Sequence, residues 1–162
     1  MLFRSRIRAQ ANAPRDAANE FAAQLKEKKF TSEAATRYGL AYALLRAKEI
    51  AAAQREIEGL LALRLSSPMI AGLAADIRLA AADPAGALAI YRDALQRYPQ
   101  SRALLYGQAE ALIAAGQYAQ GLRFLDAQLQ LYHSDYRLYG LQARTFALAG
   151  KRLQQHRAQA EF

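Results

Sequence analysis

Cysteine is absent from the 162 residues, so neither disulfides nor thiolate zinc ligands can contribute, and an oxidising or a reducing compartment suits the chain equally. Histidine is nearly absent: His133 and His156 are the only two, and neither has a second imidazole or a carboxylate at metal-ligand spacing. The H-E-x-x-H pattern of zinc peptidases is missing, as are a G-x-S-x-G turn, a phosphate-cradling glycine loop and a carboxylate pair placed for acid and base work. No catalytic, cofactor-binding or metal residue is assigned, and the chain reads as non-enzymatic. His133, within Tyr132-His133-Ser134-Asp135, reads as part of a capped helix start and His156 as a surface residue. No apolar run approaches the length of a membrane span, and the N-terminus lacks the apolar core of a signal peptide, so an export signal would have to lie on sequence outside these residues.

β-branched residues are few, prolines number four, and the nine glycines fall mostly between apolar runs. With alanine and leucine dominant and glutamine frequent, that composition favours helix over strand. At 53% hydrophobic content the chain can bury a sizeable core without metal or disulfide. The net charge of +8 comes mainly from arginine scattered along the chain, with short runs at Arg4-Ser5-Arg6-Ile7-Arg8 and Lys26-Glu27-Lys28-Lys29. It is read as a solvated surface in preference to a nucleic-acid or anionic-lipid interface, which remains the third alternative.

What is present is a period. Ala41, Ala75, Ala109 and Ala143 follow one another at 34 residues, the spacing of the tetratricopeptide (TPR) repeat. The register divides the chain into units at 34–67, 68–101 and 102–135, with a partial fourth at 136–162. Each unit is expected to be a helix pair, the small eighth residue letting the two helices cross closely. Twelve residues on, the second helix needs another small residue and has Ala53, Ala87 and Gly121, but Gln155 in the last unit. Large apolar residues follow at Ile57, Tyr91 and Leu125, and Ala94 with Pro99 completes the TPR pattern in the second unit. Turns are expected at Asp83-Pro84, Gly116-Gln117-Tyr118 and Gly150-Lys151, with Asp83, Ser67 and Ser101 supplying helix starts. An alanine-rich helical bundle could match one column by chance. It would not keep glycine, proline, small and large positions in phase over more than a hundred residues. The fold class is all-α, a right-handed α-α superhelix of TPR helix pairs.

Residues 1–33 read as a degenerate leading pair, with a short helix over Leu2 to Ala11 and an amphipathic one over Ala17 to Lys29 that places Phe21 and Leu25 on one face. The helix from Lys151 stops at Phe162 without a polar closing helix, so the chain reads as a fragment. Exposed Leu153 and Phe162 would then offer a surface for a homodimer or a swap.

The functional surface of such an array is its concave wall, lined by the first helix of each pair. The inward positions give a protein-binding groove of Tyr38, Tyr42 and Arg46, then Met69 and Asp76, then Tyr106 and Glu110, then Arg137 and Arg144, with Leu45, Leu79 and Ile113 beside them. Tyr38, Tyr42 and Tyr106 are the expected anchors, because tyrosine offers large contact area at low entropic cost together with a hydroxyl. The alternative for each is packing between repeats. A carboxylate clamp would need lysine and asparagine where Tyr38, Tyr42, Gly72 and Asp76 stand, which argues against acidic C-terminal tails as ligands.

The segment Leu141-Gln142-Ala143-Arg144-Thr145-Phe146-Ala147-Leu148-Ala149-Gly150, with Gln155 and Ala158-Gln159-Ala160-Glu161-Phe162, resembles the C-terminal region of BepA-type periplasmic zinc metalloproteases. Arg37-Tyr38-Gly39-Leu40-Ala41 leading into Leu60-Leu61 is similar to it as well. The resemblance implies a non-catalytic, periplasmic TPR module whose parent acts in outer-membrane protein assembly and quality control. Its partners would be the parent's own protease domain and outer-membrane assembly proteins. Phe3 to Arg8 would correspond to the joining helix, and no catalytic or zinc residue carries over. The other reading is a generic TPR scaffold from a different multidomain protein.

Overall fold

The structure, a computed structural model, describes residues 1–160, with side chains described through Lys151. The described residues form nine helices and no strand: α1 Leu2–Ala11, α2 Pro14–Lys26, α3 Glu33–Arg46, α4 Ile50–Ala62, α5 Pro68–Ala80, α6 Pro84–Arg97, α7 Arg102–Ala114, α8 Tyr118–Leu131 and α9 Tyr136–Ala160. The second helices α4, α6 and α8 begin at Ile50, Pro84 and Tyr118, 34 residues apart.

The turns inside the pairs share one construction. Lys48, Ala82 and Gly116 take left-handed φ values of 62, 59 and 68°. At each, two backbone bonds of 2.9–3.0 Å return to the end of the preceding helix, for example Lys48 N to Leu45 O and Glu49 N to Leu44 O. This is a Schellman turn, which satisfies the last carbonyls and reverses the chain. Helix starts are fixed by Ser32, Ser67 and Asp83, whose side chains accept from Ala35 N, Met69 N and Gly86 N at 3.3, 3.2 and 2.8 Å. Ser101 stands at the N-cap of α7 as expected, but its side chain makes no capping bond. At α9 the cap is Asp135, not His133, which is exposed and offers only its carbonyl, to the Tyr139 hydroxyl at 3.2 Å. α2 starts earlier than its amphipathic pattern suggested because Pro14 sits at its first turn, and it ends at Lys26 as Lys28 turns left-handed at φ 53°.

The turn expected at Gly150-Lys151 does not form, and α9 continues to Ala160. Ala147, Leu148, Ala149 and Lys151 are strong helix formers, and one interior glycine costs a helix only about 1 kcal/mol, too little to stop it alone. Leu153, Gln155, His156 and Phe162, on which the readings of the fourth unit's small position, a surface histidine and a homodimer surface rested, lie outside the described side chains.

Burial follows the register. Ala41, Ala75 and Ala109 are 0% exposed, as are Ala53 and Ala87. Ala143, in the same column, is exposed, because among the described residues no second helix lies against that side of α9. The core runs as three clusters in sequence: one from α1 through α5, one over α5 to α7 and one over α7 to α9. Among the described residues each helix packs chiefly on the one or two helices next to it in sequence, the quasi-linear construction of a repeat protein. Two glycines receive aromatic rings from the preceding helix. A side chain at Gly39 would lie 2.6 Å from the Phe21 ring, and one at Gly107 would collide with the Tyr91 ring.

Candidate functional site

One concave groove runs across α1, α3, α5, α7 and α9, bounded by Arg6, Tyr38, Tyr42, Met69, Gly72, Asp76, Tyr91, Tyr106, Glu110 and Arg137, and encloses a cavity of ≈ 210 Å³. First helices line it because their inward positions recur every 34 residues. Unit two opens it: where units one and three have Tyr38 and Tyr106, unit two has Gly72. A Cβ at Gly72 would meet only Leu104 Cδ2 at 3.6 Å, so the missing side chain is open groove space between the two tyrosines.

Of the residues expected on the wall, Tyr38, Tyr42, Met69, Asp76, Tyr106, Glu110 and Arg137 line this groove together. Arg46 does not. Its Nη1 donates to the Ala9 carbonyl at 2.5 Å, where the exposed carbonyls at the end of α1 attract a cation. Arg144 also stands apart, exposed on α9 away from the groove. Leu45, Leu79 and Ile113 pack into the core clusters instead. Tyr38 is 1% exposed, so its place as a large contact anchor is corrected. Tyr38 and Tyr42 lie parallel with ring centroids 6.4 Å apart, and Tyr38 gives the groove little free surface. Burial pushes its hydroxyl pKa up, with Arg6 working the other way.

Arg6 and Tyr91 belong to the groove although the repeat pattern did not assign them there. Arg6 comes from α1, outside the 34-residue register, and its guanidinium sits 5.1 Å from the Tyr42 ring centroid. The Tyr42 hydroxyl accepts from Gln10 Nε2 at 2.9 Å, tying α1 to the same wall. The basic run around Arg6 was the one signal available. Tyr91 reads in sequence as a large apolar residue of a second helix, and it is 1% exposed. Because Gly107 leaves room for its ring, its hydroxyl passes between α5 and α7 and donates to Asp76 Oδ1 at 2.5 Å.

The electrostatics of the groove follow from this packing. Asp76 is exposed as a whole residue, but its carboxylate lies in the hollow of the wall, bonded to the buried Tyr91 hydroxyl. Burial raises its carboxyl pKa, the Tyr91 hydrogen bond opposes that, Glu110 adds to the rise, and Arg6 and Arg137 pull it back. Tyr91 is pushed well above the ordinary phenol value by burial and then by Asp76. On the α9 side Arg137 lies 4.4 Å from the Tyr106 centroid and 3.4 Å from Glu110 Oε1. Below that edge Asp135, 8% exposed, accepts from the Tyr106 hydroxyl at 2.6 Å and from Arg137 N and Leu138 N at 3.0 and 3.2 Å, and pairs with Arg102. Tyr106 is therefore held at both edges, its hydroxyl by Asp135 and its face by Arg137.

The architecture is an all-α helical repeat of the tetratricopeptide type. A tetratricopeptide-repeat family model matches residues 78–145, from the end of α5 into α9. Repeats of this type generally mediate contacts between proteins. No curated protein matches the chain, and the likeness to periplasmic metalloproteases rests on its motif residues alone. None of the described helices is long and apolar enough to cross a membrane.

Proposed function

We propose that the chain is a protein-interaction module whose concave groove holds an extended segment of a partner protein. The observation that carries this is the convergence of five first-tier helices on one open cavity with half-buried Tyr42, Tyr106 and Met69 on its walls and four charged side chains within reach. Half-buried tyrosines already fixed by their own contacts lose little entropy when a ligand covers them, which favours their use as anchors. The cavity of ≈ 210 Å³ is smaller than the roughly 300–1,000 Å³ of small-molecule sites, so it suits a side chain of a longer ligand better than a compact metabolite.

Gly72→Leu tests this. The new side chain enters open space and should fill the groove without disturbing the core. Dodecapeptides enriched on the wild-type chain from a random displayed library should bind the variant at least about tenfold more weakly, at a melting temperature no lower than that of the wild type. Equal affinity in both chains would overturn the proposal.

As a finer reading, the stretch Leu141 to Gly150 supports placing the module beside the zinc peptidase domain of a periplasmic parent engaged in outer-membrane protein assembly. Upstream coding sequence bearing an export signal and H-E-x-x-H would support it. Upstream sequence without either would overturn it.

A further inference from the structure

We infer that the groove reads a basic side chain, arginine or lysine, at Asp76 of its second unit. This rests on the reading above that the groove holds a protein segment, and it adds what that segment must carry. The charges along the groove are ordered. Arg6 stands at the α1 side, Asp76 and Glu110 in the middle, and Arg137 at the α9 side. The two arginines are occupied: Arg6 lies against the Tyr42 ring, and Arg137 lies against the Tyr106 ring and pairs with Glu110 at 3.4 Å. Asp76 differs from Glu110. Its one side-chain partner is the Tyr91 hydroxyl, and among the described residues no lysine or arginine comes within 4.0 Å of it.

The space lies where such a cation would arrive. Gly72, one turn before Asp76 on the same face of α5, leaves the approach to the carboxylate open, and the cavity has room for about one side chain. A carboxylate in a hollow, with part of its water displaced and a second carboxylate nearby, is stabilised by a charged donor more than a fully hydrated one would be. The raised pKa of the Asp76 carboxyl, driven first by burial, is the same condition seen from the proton's side. A ligand carboxylate at that point would meet Asp76 and Glu110 together and be repelled. A neutral side chain would leave Asp76 without its cation. Arg6 and Arg137 act on Asp76 only from a distance, held on the Tyr42 and Tyr106 rings, and leave its carboxylate without a contacting cation.

The test uses three dodecapeptide pools, random except for a central residue fixed as arginine, citrulline or glutamate. Citrulline keeps the shape of arginine without the charge. Affinity is measured by fluorescence anisotropy on the full chain, on Asp76→Asn and on Gly72→Leu, with folding followed by circular dichroism. Asparagine can still accept from Tyr91, so the variant retains the structural bond. The arginine pool should bind the wild-type chain about tenfold more tightly than the citrulline pool, with glutamate weakest, and Asp76→Asn should reduce that ratio to about one. Equal binding of arginine and citrulline pools, or an arginine preference that persists in Asp76→Asn, overturns the inference. Where that happens while both pools are still lost on Gly72→Leu, the groove reading stands without this inference. Binding unaffected by Gly72→Leu removes the groove reading and this inference together.

Discussion

Tyr91 and Asp76 meet between α6 and α5, the buried tyrosine hydroxyl donating to Asp76 Oδ1 across 2.5 Å beneath the groove floor. The bond joins core to binding surface, since the ring belongs to the α5–α7 core cluster and the carboxylate belongs to the groove. Tyr91→Phe should cost about 1 kcal/mol in urea unfolding and raise the Asp76 pKa further, because the bond lowers it. An unchanged Asp76 titration by NMR would contradict the contact. Asp76 also has a defined pH signature. Its folded-state pKa lies above the unfolded one, so its contribution to stability is complete below the unfolded carboxylate value and is lost as pH rises through the folded value. Wild type should therefore lose ground to Asp76→Asn on going from acid to neutral pH. The opposite trend would show that Asp76 is not desolvated.

Asp135 has the reverse sign. Burial works against its charge, but the Tyr106 hydroxyl, Leu138 N–H, Arg102 and Arg137 N–H together hold its pKa below the usual carboxylate range. Its stabilisation is present above the unfolded carboxylate pKa and is lost as pH falls through the lowered folded value. Asp135→Ala removes the α9 cap and leaves Tyr106 without its acceptor. A loss of about 2 kcal/mol is expected by chemical denaturation, together with weaker peptide binding as Tyr106 loses its anchor. A loss within experimental error would show that α9 docks without this cap.

Glycines 39 and 72 sit one residue apart in the repeat register and should respond oppositely to alanine. At Gly39 the new methyl would lie 2.6 Å from the buried Phe21 ring, and such overpacking costs about 1–3 kcal/mol. At Gly72 it enters open groove and gains the helix preference of alanine, about 1 kcal/mol. Thermal melts of the two variants should move in opposite directions, and a shared direction would contradict the packing described.

Much of this was legible in the sequence, and the unread part has physical causes. The alanine column at 41, 75 and 109 marks buried helix crossings because only a small residue lets two helices approach that closely, and all three are 0% exposed. The wall positions on α3, α5, α7 and α9 followed from the same period. The period could not show that Tyr38 is covered while Tyr42 is open, since that depends on α1 and α2, which lie outside the register and lay Arg6 and Phe21 against α3. Nor could it show that Arg46 would turn to the end of α1. Tyr91 looked apolar because only its ring occupies a core position, and its hydroxyl reaches the groove through the gap left at Gly107.

Gly150 is next in phase after Lys48, Ala82 and Gly116, the left-handed residues of the turns inside the pairs, yet it lies within α9. Inside α9, with no described atom within 4 Å of its Cβ position, Gly150→Ala should stabilise by about 1 kcal/mol. Gly116→Ala, at φ 68°, should destabilise by about 1 kcal/mol. If Gly150→Ala also destabilises, residue 150 adopts a turn and α9 is not continuous.

Whether the groove is the binding face is tested most directly by amide chemical-shift mapping of the full chain with dodecapeptides enriched on it. The perturbed amides should cluster at Tyr42, Met69, Gly72, Asp76, Tyr106 and Glu110 and should stay unmoved in Gly72→Leu. Perturbations confined to the second helices α4, α6 and α8, with the groove amides unchanged, would contradict it.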